Sequence, residues 1–203
     1  PDLKNYKLSS LRSSLAMSFV KKLTPEIRKR WNQMTGLTLK ESAYGMTETH
    51  TMDTFTNGMQ QDDMDLKSKP IFCGIPMPRT QIKIVDFNNR EILPLESEGE
   101  IVIKSPSLMR GYWKNPEANQ KDIVDGWFHT GDIGMLDERG YLHYLGRTKE
   151  MLKLKGMSVF PSEIETLLAM HPAIEASGVI GRIDPEKGEV PVAFIKLDSE
   201  FAG

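Results

Sequence analysis

From Gly126 to Glu165 the chain alternates short apolar runs with turns that carry charge. Gly126-Trp127-Phe128-His129-Thr130-Gly131-Asp132 leads through a strand-rich link to Gly146-Arg147-Thr148-Lys149-Glu150, then to Met151-Leu152-Lys153-Leu154-Lys155-Gly156 and Phe160-Pro161-Ser162-Glu163-Ile164-Glu165. Apolar runs this brief, punctuated by glycine, are built as strands joined by turns. The pattern places a carboxylate (Asp132), a guanidinium (Arg147) and several ammonium groups between those strands. A nucleotide site at a domain boundary needs such groups in such places.

Composition limits what else the chain can do. At 203 residues it can hold one or two domains, and 39% hydrophobic with 27% charged residues is ordinary for a globular protein. A net charge of -2 supplies no global attraction for nucleic acid or an anionic membrane, so anion binding must be local. The lone Cys73 cannot form an internal disulfide, which fits a reducing cytoplasm. No apolar run approaches the length of a membrane span. The start at Pro1, without methionine, reads as a trimmed front.

The opening predicts a strand-helix-strand unit, with a buried strand over Leu11 to Phe19 and a return strand over Leu37 to Tyr44. Between them, Thr24-Pro25-Glu26 starts a helix and Gly36 stops it, with Ile27, Trp31 and Met34 on one face. Thr49 to Lys69 is polar and Met-rich without periodicity, and predicts a surface loop. From Pro76 the pattern changes to short strands: Ile82 and Ile84 share a face, Asn88-Asn89 turns, and Glu100 to Lys104 returns. Asn115-Pro116-Glu117-Ala118 opens a short helix. Trp127-Phe128, Met135-Leu136 and Tyr141 to Leu145 are separate short strands, with a hairpin turn at Asp137 to Gly140. Met151 to Phe160 predicts a hairpin turning at Gly156. Ser162-Glu163-Ile164-Glu165 reads as a capping box heading a helix with Ile164, Leu167 and Leu168 inward. Strands over Ala173 to Gly181 and Val190 to Leu197 complete a β-β-α-β-β unit. The predicted fold class is α/β (mixed α+β): a βαβ part and a small β-barrel-like subdomain over 1–146, then an incomplete α+β lid over 147–203. Unpaired edges of a truncated sheet predict self-association into a homo-oligomer, strand exchange or disorder near the chain ends.

Several residues could carry chemistry. Tyr44-Gly45-Met46-Thr47-Glu48 follows a strand end, where ligands of α/β sheets gather. Tyr44 and Gly45 offer a flat face beside approachable backbone, Thr47 a hydroxyl for phosphate and Glu48 a hard oxygen for Mg²⁺. Equally, Tyr44 reads as a core tyrosine and Glu48 as a solvated carboxylate. Asp132 can accept both hydroxyls of a ribose, or cap its own turn. Arg147 suits ribose or phosphate oxygens, or a surface ion pair. Lys149, Lys153 and Lys155 read alone as an exposed strand face. The four histidines show no metal-ligand spacing.

In their order, Tyr44 to Glu48, Met109-Arg110-Gly111-Tyr112-Trp113, Gly126 to Asp132 and Gly146 to Glu165 resemble the adenylate-forming superfamily of acyl-CoA synthetases, luciferases and peptide-synthetase adenylation domains. Gly111 to Ala118 looks most like its fatty acyl-CoA ligase branch. The resemblance implies an ATP-dependent ligase that joins a carboxylic acid to AMP and then passes the acyl group to coenzyme A. It implies that Tyr44 stacks on adenine, Thr47 contacts phosphate, Glu48 helps hold Mg²⁺, and Asp132 and Arg147 bind ribose. Lys149 matches the hinge, and Lys153 and Gly156 the hairpin turned toward the site for the thiol step. Two family elements, the phosphate loop and the near-terminal lysine, have no counterpart here, which predicts an isolated chain unable to adenylate. Met17-Ser18-Phe19 stands where the family has Gly-Gly-Ala, bordering adenine and acyl group. A non-catalytic nucleotide- or CoA-binding module, or a ligase serving a carrier-protein thiol, is the alternative.

Overall fold

The computed structural model describes residues 6–16, 23–41, 43–50, 52–68, 71–154, 157–199 and 201. The opening unit forms as its sequence predicts. Strand β1 (Ser14–Ala16) runs parallel to β2 (Leu39–Glu41), joined across helix α1 (Pro25–Thr35). Thr24 caps that helix, its hydroxyl accepting the Ile27 N–H at 3.3 Å, and Gly36 ends it in the left-handed region at φ 73°. The expected strand over Leu11 to Phe19 is seen only as Ser14–Ala16, and Met17-Ser18-Phe19 lies outside the described residues.

What α1 buries is not its apolar stripe. Met34 is 42% exposed, and the buried side chain of the helix is Arg28. Its Nε donates to the Leu39 carbonyl at 2.8 Å, and its terminal nitrogens reach Asp65 at 2.8 and 2.6 Å and Asp63 at 2.6 Å. This fork ties α1 and β2 to helix α2 (Met64–Lys67).

The Thr49 to Lys69 segment is therefore not the surface loop its composition predicts. It supplies α2 and strand β3 (Thr54–Phe55), and Thr49, Asp53, Thr54 and Asp65 are buried. Polar side chains go inside when their hydrogen bonds are met there. The Thr54 hydroxyl donates to the Cys73 carbonyl at 2.6 Å and accepts the Tyr44 N–H at 2.9 Å.

Seven strands make the main sheet: β3, β4 (Ile71–Pro76), β5 (Gln81–Val85), β6 (Gly99–Lys104), β7 (Ile123–Val124), β8 (Trp127–Leu136) and β9 (Leu142–Arg147). Their order is β3-β4-β9-β8-β6-β5, with β7 on β8. Ile101, Val102 and Ile103 of β6 are all fully buried, so this central strand is covered on both faces. Helix α3 (Pro116–Asp122) is capped by Asn115, whose Oδ1 accepts the Ala118 N–H at 3.1 Å. Trp127-Phe128 and Met135-Leu136, expected as separate strands, are the two ends of β8, which stays continuous by bulging.

The last unit is the expected β-β-α-β-β: β10 (Leu152–Leu154), β11 (Met157–Val159), α4 (Pro161–Leu168), β12 (Ile174–Asp184) and β13 (Gly188–Leu197). Its sheet order is β11-β10-β13-β12. Gly156, the expected hairpin turn, lies outside the described residues. The capping box does not form. Pro161 takes the first helical position, and the Ser162 hydroxyl instead donates to the Leu145 carbonyl on β9. Leu167 points outward at 55% exposure, while Glu165 turns in to accept the Val179 N–H at 2.8 Å. Phe160 packs with Ile133 and Leu145, joining this unit to the main sheet.

The fold is mixed α/β with strands dominating. No helix among the described residues is long and apolar enough to cross a membrane.

Arg28→Met should cost about 3–5 kcal/mol, because it leaves the buried Asp65 carboxylate without its partner. Urea unfolding measures this; a midpoint equal to wild type would refute the role given to the fork.

Candidate functional site

β8 leaves the sheet where the candidate residues sit. In its pairing with β6, Val102 faces His129 and Glu100 faces Ile133, so Ile101 alone opposes Thr130, Gly131 and Asp132. The surplus residues bulge away, and their backbone groups find other partners. The Thr130 hydroxyl donates to the Ile101 carbonyl at 2.7 Å and accepts the Asp132 N–H at 3.0 Å. Gly131 adopts φ 69°, which a side chain would strain although nothing lies within 4 Å of an added Cβ. Its N–H donates to Glu100 Oε1 at 3.2 Å, and its carbonyl accepts the Thr148 hydroxyl at 2.9 Å.

The bulge delivers the Asp132 carboxylate, 5% exposed, between two elements. Oδ2 accepts the Tyr44 hydroxyl at 2.6 Å. Oδ1 lies 3.2 Å from Arg147 Nε, yet it is buried and has no hydrogen-bond partner. Burial pushes the Asp132 carboxyl above the usual carboxylate range. Tyr44 and Arg147 pull it back only in part, and Glu150 and Glu48 push it up. Burial prevails over the ion pair because the Arg147 side chain is 50% exposed and its charge is screened by water. Asp132 in turn raises Arg147. Burial, then Asp132, holds Tyr44 well above the usual phenol value.

Tyr44 is fixed from its backbone outward. Its carbonyl accepts the N–H groups of Asp53 at 2.9 Å and Thr54 at 3.1 Å, and its ring packs 6.1 Å from that of Tyr144. The chain then makes a short 3-10 turn at Thr47–Thr49, secured by the Thr49 hydroxyl on Asp53 and by His50 against the Ser107 carbonyl at 2.7 Å. Glu48 leaves this turn toward Tyr112, whose hydroxyl donates to Glu48 Oε1 at 3.0 Å. Burial and the Glu48 charge push that phenol up to about 12.

These groups surround a cleft of about 630 Å³. Glu48, Asp132, Arg147 and Lys149 line it, and Tyr44 joins them through Asp132. Gly45 and Thr47 lie in the same segment without lining it. Lys153 stands apart on β10, its Nζ donating to Ser158 Oγ at 3.0 Å. Among the described residues no cluster of three or more His, Cys, Asp or Glu could hold a metal. A Mg²⁺ ion at Glu48 would therefore draw its other ligands from phosphate and water, as that ion commonly does.

The site also contains residues whose part was not legible in sequence: Tyr112 behind Glu48, and the Glu100–His129 pair on the cleft wall. Tyr112 lies in a motif already singled out. Glu100 gave no signal beyond a charge in an apolar strand.

The raised Asp132 carboxyl sets a sign for pH dependence. Folded Asp132 keeps a proton that the unfolded chain has released, so its contribution is present below the ordinary carboxylate value and lost as pH rises through the raised one. Asp132→Asn should flatten the fall in urea midpoint on going from about pH 4 to about pH 7. Part of the slope should remain, since burial also raises Asp53. Unchanged slopes would contradict the burial described for Asp132.

Known proteins resemble this chain along most of its length. The profile of the AMP-binding enzyme family matches residues 1–113, and that of the AMP-binding enzyme C-terminal domain matches 163–202. A 4-coumarate--CoA ligase 1 of Glycine max is 37% identical over 205 residues, covering 99% of this chain and 68% of that protein. A long-chain-fatty-acid--CoA ligase of Salmonella typhimurium is 36% identical, covering 83% of this chain and 29% of the relative. The structure of o-succinylbenzoate CoA synthetase from Bacillus subtilis with its acyl-adenylate intermediate superposes with a TM-score of 0.72 at 30% identity, covering 84% of this chain and 34% of that one. The chain thus spans about two thirds of one relative and about a third of the others. With more than half of its length matched by the family profile, and a relative 37% identical over 68% of that relative's length, the chain belongs to the AMP-binding enzyme family.

Proposed function

We propose that the cleft holds the nucleotide half of an acyl-adenylate, in an ATP-dependent ligase that activates a carboxylic acid. The observation that carries this reading is Asp132 Oδ1: buried, without a hydrogen-bond partner, and beside Arg147 in the cleft wall. A buried acceptor in that state is costly unless a ligand donates to it. The vicinal hydroxyls of a ribose are such donors. Arg147 then faces ribose or phosphate oxygen, and adenine is proposed to reach past Met46 of the cleft wall toward the Tyr44-Gly45 segment.

The proposed chemistry has two steps. A carboxylate oxygen of the acid attacks the α-phosphorus of ATP, and the bond to pyrophosphate breaks. Thr47 contacts phosphate in this step, and Glu48 holds Mg²⁺, which spreads the phosphate charge when bound. The sulfur of coenzyme A then attacks the acyl carbon, and AMP leaves. Lys149, in the turn after Arg147, is the proposed hinge between residues 1–146 and a lid over 147–203. Lys153, 3.0 Å from Ser158 on the next strand, and Gly156 are proposed to meet the thiol arm. The proposed acid is a fatty acid and the proposed setting the cytoplasm, where the buried Cys73, its thiol pushed up to about 12 by burial, stays reduced.

Calorimetric titration of AMP into this chain should give saturable binding. Arg147→Ala should weaken it about tenfold, roughly 1.4 kcal/mol. Absence of AMP binding would overturn the reading. Acid-dependent pyrophosphate release by the polypeptide that carries this chain should favour palmitate over 4-coumarate; the reverse order would replace the fatty acid with a phenolic one.

A further inference from the structure

The bulge that presents Asp132 needs something to hold it. A β-strand keeps its course through its ladders, and β8 loses the one to β6 at Thr130, Gly131 and Asp132, which face Ile101 alone on that side, while Asp132 keeps its pairing with Arg147 on β9. A glycine in the left-handed region adds freedom at the middle of the gap. The Gly131 N–H would otherwise face water, and the direction of the Asp132 carboxylate would follow a mobile peptide.

One side chain closes the gap. Glu100, on β6 beside the bulge of β8, places Oε1 at 3.2 Å from the Gly131 nitrogen and Oε2 at 2.8 Å from His129 Nδ1. The pair is largely enclosed, with side-chain exposures of 16% for Glu100 and 10% for His129. Both residues line the cleft with Asp132. The carboxylate thus grips the residue before Asp132 through its backbone and a residue on the near side of the bulge through its imidazole. Hydrogen bonds to an ionised acceptor are the stronger kind, and one acceptor group bridging both ends of a gap fixes its shape. Thr148 holds the opposite side of the same residue, at the Gly131 carbonyl.

We propose that Glu100 is a positioning residue for nucleotide binding: through the Gly131 N–H and His129 it sets the bulge that aims Asp132. The consequence for ligand affinity rests on the nucleotide reading above; the effect on Gly131 does not. On this account Glu100 acts through that backbone and not on the ligand. Its contribution is the order of the Thr130 to Asp132 backbone before the ligand arrives, which removes an ordering cost from binding.

The test has two readouts on the full 203-residue chain: hydrogen exchange at the Gly131 amide, and AMP affinity. Glu100→Ala should speed Gly131 exchange and weaken AMP binding, each on the order of tenfold, while the amides of Ile101 and Val102 stay protected. Glu100→Gln retains an acceptor oxygen for the Gly131 N–H and should recover most of both losses. If the alanine variant unfolds, the glutamine variant carries the test alone, with near-wild-type values on both readouts expected. Unchanged Gly131 exchange in Glu100→Ala would overturn the proposal. So would an equal loss of AMP affinity in both variants without faster exchange, since Glu100 would then act on the ligand directly. Faster exchange in a protein that binds no AMP even as wild type would support the grip on Gly131 and overturn the nucleotide reading instead.

Discussion

A carboxylate with almost no access to water is the constraint around which this structure is arranged. Burying Asp132 is unfavourable unless its oxygens meet donors, and each donor comes from a different stretch of chain. Tyr44 arrives from the loop after β2, Arg147 from the end of β9, and the carboxylate from the bulge of β8. Those segments must be in place together for the charge to be tolerated. The remaining acceptor, Oδ1, is buried without a hydrogen-bond partner, beside an arginine that water already screens. Polar burial that is incomplete in this way disfavours the empty site and favours an occupied one.

The same device, a buried polar group that cross-links irregular backbone, recurs where the sheet alone would not suffice. Arg28 joins α1 to α2, Thr54 joins the Tyr44 loop to β4, and Glu100 spans the bulge. Apolar packing supplies the floor beneath them, chiefly Ile101, Ile103 and Leu142, and a second cluster of Ile133, Leu145 and Phe160 packs the final unit against the sheet. The hydrophobic core places the strands, and the polar pins place the loops that hold the candidate groups. Distance from solvent makes each pin count for more than it would at the surface.

Features governed by neighbouring residues were legible in the sequence. Thr24, Gly36 and Asn115 cap their helices as their residue types predict, and the final β-β-α-β-β order follows from local pattern. Asp132 and Arg147, singled out by their turns, come together as Cα partners across β8 and β9. Features decided by distant partners were not legible. In the polar stretch after Thr49, Thr54 and Asp65 are buried because Cys73, Tyr44 and Arg28 satisfy them from elsewhere. Ser162 leaves its capping box for a carbonyl on β9, and Leu167 gives up the inner face of α4 to Glu165. β8 reads as separate strands because its bulge breaks the alternation that marks a strand.

Asp132 is proposed to accept the hydroxyls of a ribose. Comparing AMP with 2′,3′-dideoxy-AMP on the wild-type chain and on Asp132→Asn tests it most directly. In the wild type, removing both hydroxyls should weaken binding by roughly thirtyfold or more, the loss of charge-assisted hydrogen bonds to a buried acceptor. In Asp132→Asn most of that discrimination should vanish. Equal affinity of the two nucleotides for the wild-type chain would contradict the claim.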